Sequence, residues 1–90
     1  MPVISTFFGI IIRMFYQEHG SPHFHAEYDN QHATFRFDGR VAAGEIRSRK
    51  ARGRIRTWAL QHQAELVANW ESMKTGSPMQ RIAPLQKDKP

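Results

Sequence analysis

A chain of 90 residues, 40% hydrophobic and 23% charged, has room for one small soluble domain and no second core. It contains no cysteine, which excludes disulfides, thiolate zinc sites, iron–sulfur ligation and cysteine nucleophiles. Lys and Arg number 13 against 8 Asp and Glu, a formal net charge of +5 that favours a polyanionic partner.

Residues 3–16 are β-branched and aromatic over most of their length, a strand composition. Ile10, Ile12, Met14 and Tyr16 share one face, and Ile11 and Phe15 share the other with Arg13, so a central strand is predicted. Gly9 marks a bulge or a break into two pieces. No basic segment precedes this run, no cleavage site follows it, and no window approaches the roughly 20 apolar residues of a membrane span. A cytoplasmic protein with no membrane partner is expected.

Residues 17–22 form a loop with Gly20 and Pro22, and two alternating strands follow. In the first, Phe24, Ala26 and Tyr28 oppose His23, His25, Glu27 and Asp29. In the second, Ala33, Phe35 and Phe37 oppose His32, Thr34, Arg36 and Asp38. A two-residue turn at Asn30-Gln31 pairs Phe24 with Phe37, Ala26 with Phe35 and Tyr28 with Ala33. The same register sets His23 opposite Asp38, His25 opposite Arg36 and Asp29 opposite His32. Asp38-Gly39 is a second turn, and residues 41–46 are a third strand of the meander.

From Ser48 to Met73 the period becomes helical, with Ile55, Ala59, His62, Leu66, Trp70 and Met73 at three- and four-residue steps. Ser48 is the expected N-cap, Gly76 and Pro78 end the run, and Gly53 costs about 1 kcal/mol against Ala. Trp58 and Trp70 read as core and rim anchors of the helix. Residues 79–85 are predicted as a short edge strand and 86–90 as a disordered tail. The expected fold is α+β. A small antiparallel sheet of three to five strands carries one long C-terminal helix on one face, in a single domain over 1–85.

Two clusters carry chemistry. His23, His25, Glu27 and Asp29 project from one side of a strand, where an H-x-H pair holds imidazoles roughly 7 Å apart. His19, or Asp38 or His32 across the hairpin, is placed to complete a zinc-type site with His23 and His25. Metal-free acid–base chemistry, as in a small ribonuclease, fits the same face, with His23 and His25 catalytic, Asp38 or Glu27 orienting an imidazole, and Arg36 stabilising phosphate charge. A plain solvated hairpin face gives the same pattern.

The second cluster is Arg47, Arg49, Lys50, Arg52, Arg54 and Arg56, six cations within ten positions and no acid among them. On a helix, Arg49, Arg52 and Arg56 form one stripe and Arg47, Lys50 and Arg54 another. Such an array suits DNA or RNA phosphates or an acidic protein. No helix-turn-helix, zinc finger or ribonucleoprotein motif accompanies it.

The opening Pro2-Val3-Ile4-Ser5 through Phe8-Gly9-Ile10-Ile11-Ile12-Arg13-Met14 resembles that of the small bacterial DUF4160 family. The string Glu18-His19-Gly20-Ser21-Pro22-His23-Phe24-His25-Ala26-Glu27-Tyr28 is similar to the family's most specific motif, with Ser21 where members often have proline. Trp58-Ala59, His62, Glu65-Leu66 and Asn69-Trp70 are similar to its helix pattern. The resemblance implies no defined activity. It implies a DUF2442-type partner protein, encoded alongside, in a two-gene toxin–antitoxin-like or regulatory module. The residues and the resemblance together favour a binding protein acting through the basic helix, with a ribonuclease-like or metal-dependent enzyme as the alternative.

Overall fold

The computed structural model describes residues 2–86. The leading apolar run is two strands, β1 (Val3–Phe7) and β2 (Ile10–Arg13), folded into an antiparallel hairpin. Phe8 and Gly9 make the turn with φ of 51° and 77°, so Gly9 marks a break, and the left-handed turn matches the twist of its strands. Ile10, Ile12 and Met14 are buried on their shared face, whereas Tyr16 lies beyond the strand and is exposed.

The strands β3 (Phe24–Tyr28), β4 (Gln31–Phe35) and β5 (Val41–Glu45) complete a five-stranded antiparallel meander in the order β1-β2-β3-β4-β5. The β3–β4 hairpin is present, but its register differs from the predicted one by two residues. Asp29 and Asn30, with φ of 51° and 61°, form the turn in place of Asn30-Gln31. Phe24 therefore pairs with Phe35, Ala26 with Ala33 and Tyr28 with Gln31. A two-residue turn of this hand needs positive φ at both central positions, which Asp-Asn adopts more readily than Asn-Gln. Because side chains alternate with period two, a two-residue shift leaves each on its expected face.

Between β4 and β5, the Gly39 N–H donates to the Arg36 carbonyl and the Arg36 N–H donates to the Arg40 carbonyl, both at 2.8 Å. Phe37 thus belongs to a three-residue loop, yet its ring still faces the core, 6.5 Å from Phe24 and 6.1 Å from Trp70.

The expected single helix is two, α1 (Arg49–Gln61) and α2 (Gln63–Lys74). They part at His62, whose φ of −124° and ψ of 27° leave the helical region. Its N–H is shared between the Trp58 and Ala59 carbonyls, and its own carbonyl accepts from Leu66 N–H, so one residue closes α1 and opens α2. The Ser48 hydroxyl accepts from Ala51 N–H at 3.0 Å and caps α1 as predicted. Ala51, Ile55, Trp58 and Ala59 of α1, and Leu66, Trp70 and Met73 of α2, join the sheet's apolar face in one core. Trp58 is fully buried, with ring centroids 5.4 Å from Phe7 and 5.6 Å from Phe24. Burying each such large side chain contributes about 1.5–3 kcal/mol.

Residues 79–85 form no strand. The Ile82 N–H donates to the Ile4 carbonyl at 2.7 Å, but helix side chains take the neighbouring backbone groups. The Asn69 amide donates to the Gln80 carbonyl and accepts from its N–H, and the Trp58 indole N–H donates to the Ala83 carbonyl, each at 2.8 Å. Pro84 has no N–H to add to a ladder. Of the predicted tail 86–90, residues 87–90 lie outside the described residues. No helix among the described residues is long and apolar enough to cross a membrane.

Candidate functional site

The helices cover one face of the sheet, and the opposite face carries Arg13, His25, Glu27, His32 and Thr34. His23 lies in the loop just before β3 and not on the strand as predicted, yet its ring meets that of His25, with centroids 5.2 Å apart. The β2–β3 loop reverses through Gln17 at φ 66° and delivers Glu18 to both rings. One Glu18 oxygen lies 2.5 Å from His25 Nε2 and the other 3.5 Å from His23 Nε2. Behind these contacts, His23 Nδ1 lies 2.8 Å from the Ser21 carbonyl and His25 Nδ1 lies 3.0 Å from His32 Nε2. Phe15 packs edge-on against His25 and Trp70 lies 5.4 Å from His23, so both rings are held from the side. Burial lowers the His25 pKa below its ordinary 6.5 despite the Glu18 carboxylate, which raises it, and His23 and His32 add to the lowering.

Other predicted members of this site lie elsewhere. His19 is exposed and takes no part in the cluster, where Glu18 stands instead. Asp38 accepts from the Arg40 backbone N–H at 3.0 Å and from its guanidinium at 2.9 Å. It orients no imidazole, because the two-residue register shift removes it from the position opposite His23. The Arg40 N–H, followed by its guanidinium, holds the Asp38 carboxyl below its ordinary pKa. Glu27 is bound to Arg13 at 2.9 Å. Thr34 rather than Arg36 pairs with His25, although Arg36 joins His23 and Thr34 around a pocket of about 180 Å³.

The basic segment divides on folding. Arg49, Arg52, Gly53 and Arg56 follow at helical steps of three and four, and with Arg40 they line a groove of about 320 Å³. The β4–β5 turn supplies Arg40, and Gly39 lets that turn sit directly on α1. Arg52 also braces the start of α1, donating to the Ile46 and Arg47 carbonyls at 2.6 and 2.8 Å. Arg54 and Lys50 belong to the adjacent side, where the Arg54 guanidinium stacks 3.9 Å from the Phe8 ring centre. Arg47 is exposed ahead of the helix, its N–H donating to the Gln31 side chain. Among the described residues, no carboxylate pairs with Arg49, Arg52 or Arg56, and only Asp38 pairs with Arg40.

Glu18 and Arg40 are the members that sequence reasoning missed. Glu18 sits in an irregular loop beside His19, where no alternation decides which of the two turns inward. Arg40 follows the turn signal Asp38-Gly39, but its place beside α1 depends on the contact of that turn with the helix, which has no local signature.

The sequence model of one family, described as a domain of unknown function (DUF4160), matches residues 9–71. No curated protein and no solved structure matches the chain. The matched span runs from the first turn into α2 and includes both the histidine cluster and the arginine groove. Covering well over half of the sequence, it places this chain in the DUF4160 domain-of-unknown-function family.

Proposed function

We propose that the chain is a binding protein for the phosphate backbone of nucleic acid, acting through the groove between α1 and the β4–β5 turn. The observation that carries this reading is the ring of Arg40, Arg49, Arg52 and Arg56, three of them without a carboxylate partner among the described residues. Guanidinium groups offer paired donors to phosphate oxygens, and four lining one groove give a cationic footprint for an anion. Gly53 supports it further. A Cβ there would meet nothing within 4 Å, so no packing demand explains a glycine inside a helix. It leaves bare backbone between Arg49, Arg52 and Arg56, where a phosphate can approach closely.

Phosphate contact predicts affinity with little base preference, since nothing in the groove is arranged to read base edges. Fluorescence anisotropy with labelled duplex DNA, single-stranded DNA and RNA at low salt tests the reading. Binding to at least one of them is expected, weakened by Arg49→Ala and Arg56→Ala. Absence of binding to all three, with an acidic peptide captured at the same ionic strength, would replace nucleic acid by an acidic protein partner.

A further inference from the structure

We propose that Glu18, His23 and His25 form a binding site for a divalent transition metal of the Zn²⁺ class, with three protein ligands and an open coordination position. One carboxylate oxygen and two ring nitrogens lie within 4.8 Å of one another. Two imidazoles and a carboxylate are a ligand set for Zn²⁺, Co²⁺, Ni²⁺ or Fe²⁺. It is a poor set for Ca²⁺ or Mg²⁺, which take oxygen donors.

The hydrogen bonds behind the rings give the stronger argument. The Ser21 carbonyl can only accept, so His23 Nδ1 carries a proton and donates to it at 2.8 Å. In the neutral ring Nε2 then has no proton to offer the Glu18 oxygen 3.5 Å away, which is also only an acceptor. Two acceptors facing one another repel unless a cation stands between them. A backbone carbonyl behind one imidazole nitrogen is also the contact that orients histidine ligands in metal centres.

His25 is arranged in the same sense. When no metal is bound, the contact between its Nε2 and the Glu18 carboxylate is a hydrogen bond in which Nε2–H donates. A metal replaces that proton, and His25 Nδ1–H then donates to His32 Nε2, which lies 3.0 Å away. Tetrahedral bonds of about 2.1 Å set ligand atoms about 3.4 Å apart. The two Glu18 oxygens lie 2.5 Å from His25 Nε2 and 3.5 Å from His23 Nε2, and one ligand atom from each residue falls within 4.8 Å of the others, so closing to that spacing needs side-chain shifts and no movement of the fold. The His23, His25 and Glu18 side chains are 18%, 15% and 23% exposed, which leaves access for an ion and its water.

The test uses the full chain without a histidine tag, stripped with chelator and titrated with ZnCl₂ by calorimetry and with CoCl₂ by visible absorption. One ion per chain is expected, with Co²⁺ bands of nitrogen and oxygen coordination. Metal a hundredfold above its Kd should raise the Tm by about 10 °C or more. Glu18→Gln and His23→Gln should weaken binding at least a hundredfold, and His32→Ala about tenfold. His19→Ala and His62→Ala, the latter removing the separate His62–Glu65 pair, should leave it unchanged. No heat, no Co²⁺ band and no Tm shift in the unmodified chain at millimolar metal would overturn the proposal. So would binding by Glu18→Gln and His23→Gln equal to that of the unmodified chain.

Discussion

Gly39 lies directly against Arg56: a Cβ added to Gly39 would fall 2.7 Å from the Arg56 Cα. The β4–β5 turn therefore rests on the helix backbone, and this contact sets Arg40 across the groove from Arg49, Arg52 and Arg56. Gly39 also has φ of 87°, where a side chain is strained whatever the space. Gly39→Ala should lower stability by about 2 kcal/mol or more, from strain and clash together. Urea denaturation measures it, and an unchanged midpoint would mean that the turn does not seat on α1.

Gly53 makes the opposite prediction. No packing opposes a side chain there, so Gly53→Ala should raise stability by about 1 kcal/mol, or about 4–8 °C in Tm. If phosphate approaches the bare helix, the same substitution should weaken nucleic-acid binding several-fold. Greater stability with undiminished affinity would remove Gly53 from the interface.

Asn69 is 2% exposed, and its amide makes two 2.8 Å bonds to the Gln80 backbone. Asn69→Ala removes both bonds to the Gln80 backbone and should cost about 1–2 kcal/mol. Hydrogen exchange should quicken at the Gln80 amide well before it does in β3. Equal protection of the Gln80 amide with and without the substitution would show that the segment is held by the Ile82 and Trp58 contacts alone.

The pH dependence of the chelator-treated protein follows from His25. Its folded pKa lies below the ordinary value of 6.5, so the unfolded chain takes up this proton first as pH falls. The contribution of His25 to stability is therefore fully present above 6.5 and is lost on acidification through the folded pKa. Denaturation midpoints should fall between about pH 7.5 and 5.5, and His25→Gln should flatten that fall. A midpoint that rises on acidification would contradict the sign.

What was legible in the sequence was the side chains' sidedness. Alternation over 23–35 sorted Phe24, Ala26, Ala33 and Phe35 from His25, Glu27 and Thr34. The observed register lies two residues from the predicted one and keeps that sorting, because parity is insensitive to a shift of two. Pairing partners are less legible, since Asn30 suits either turn and the choice rests on Asp29 adopting positive φ more readily than Gln31. The break at His62 leaves no trace in the period, because the buried positions on either side, Ala59 and Leu66, stand seven apart, close to two helical turns. No glycine or proline marks it. The C-terminal segment read as a strand because Ile82 and Leu85 are apolar, but its backbone groups are satisfied by Asn69 and Trp58. Such long-range side-chain capture has no local signature.

The salt dependence of nucleic-acid affinity tests the central claim most directly. If Arg40, Arg49, Arg52 and Arg56 each neutralise one duplex phosphate, log K should fall against log salt with a slope of about −3.6. The double variant Arg49→Ala, Arg56→Ala should bring that slope to about −1.8. A slope unchanged in the double variant, or no measurable affinity at low salt, would contradict the account.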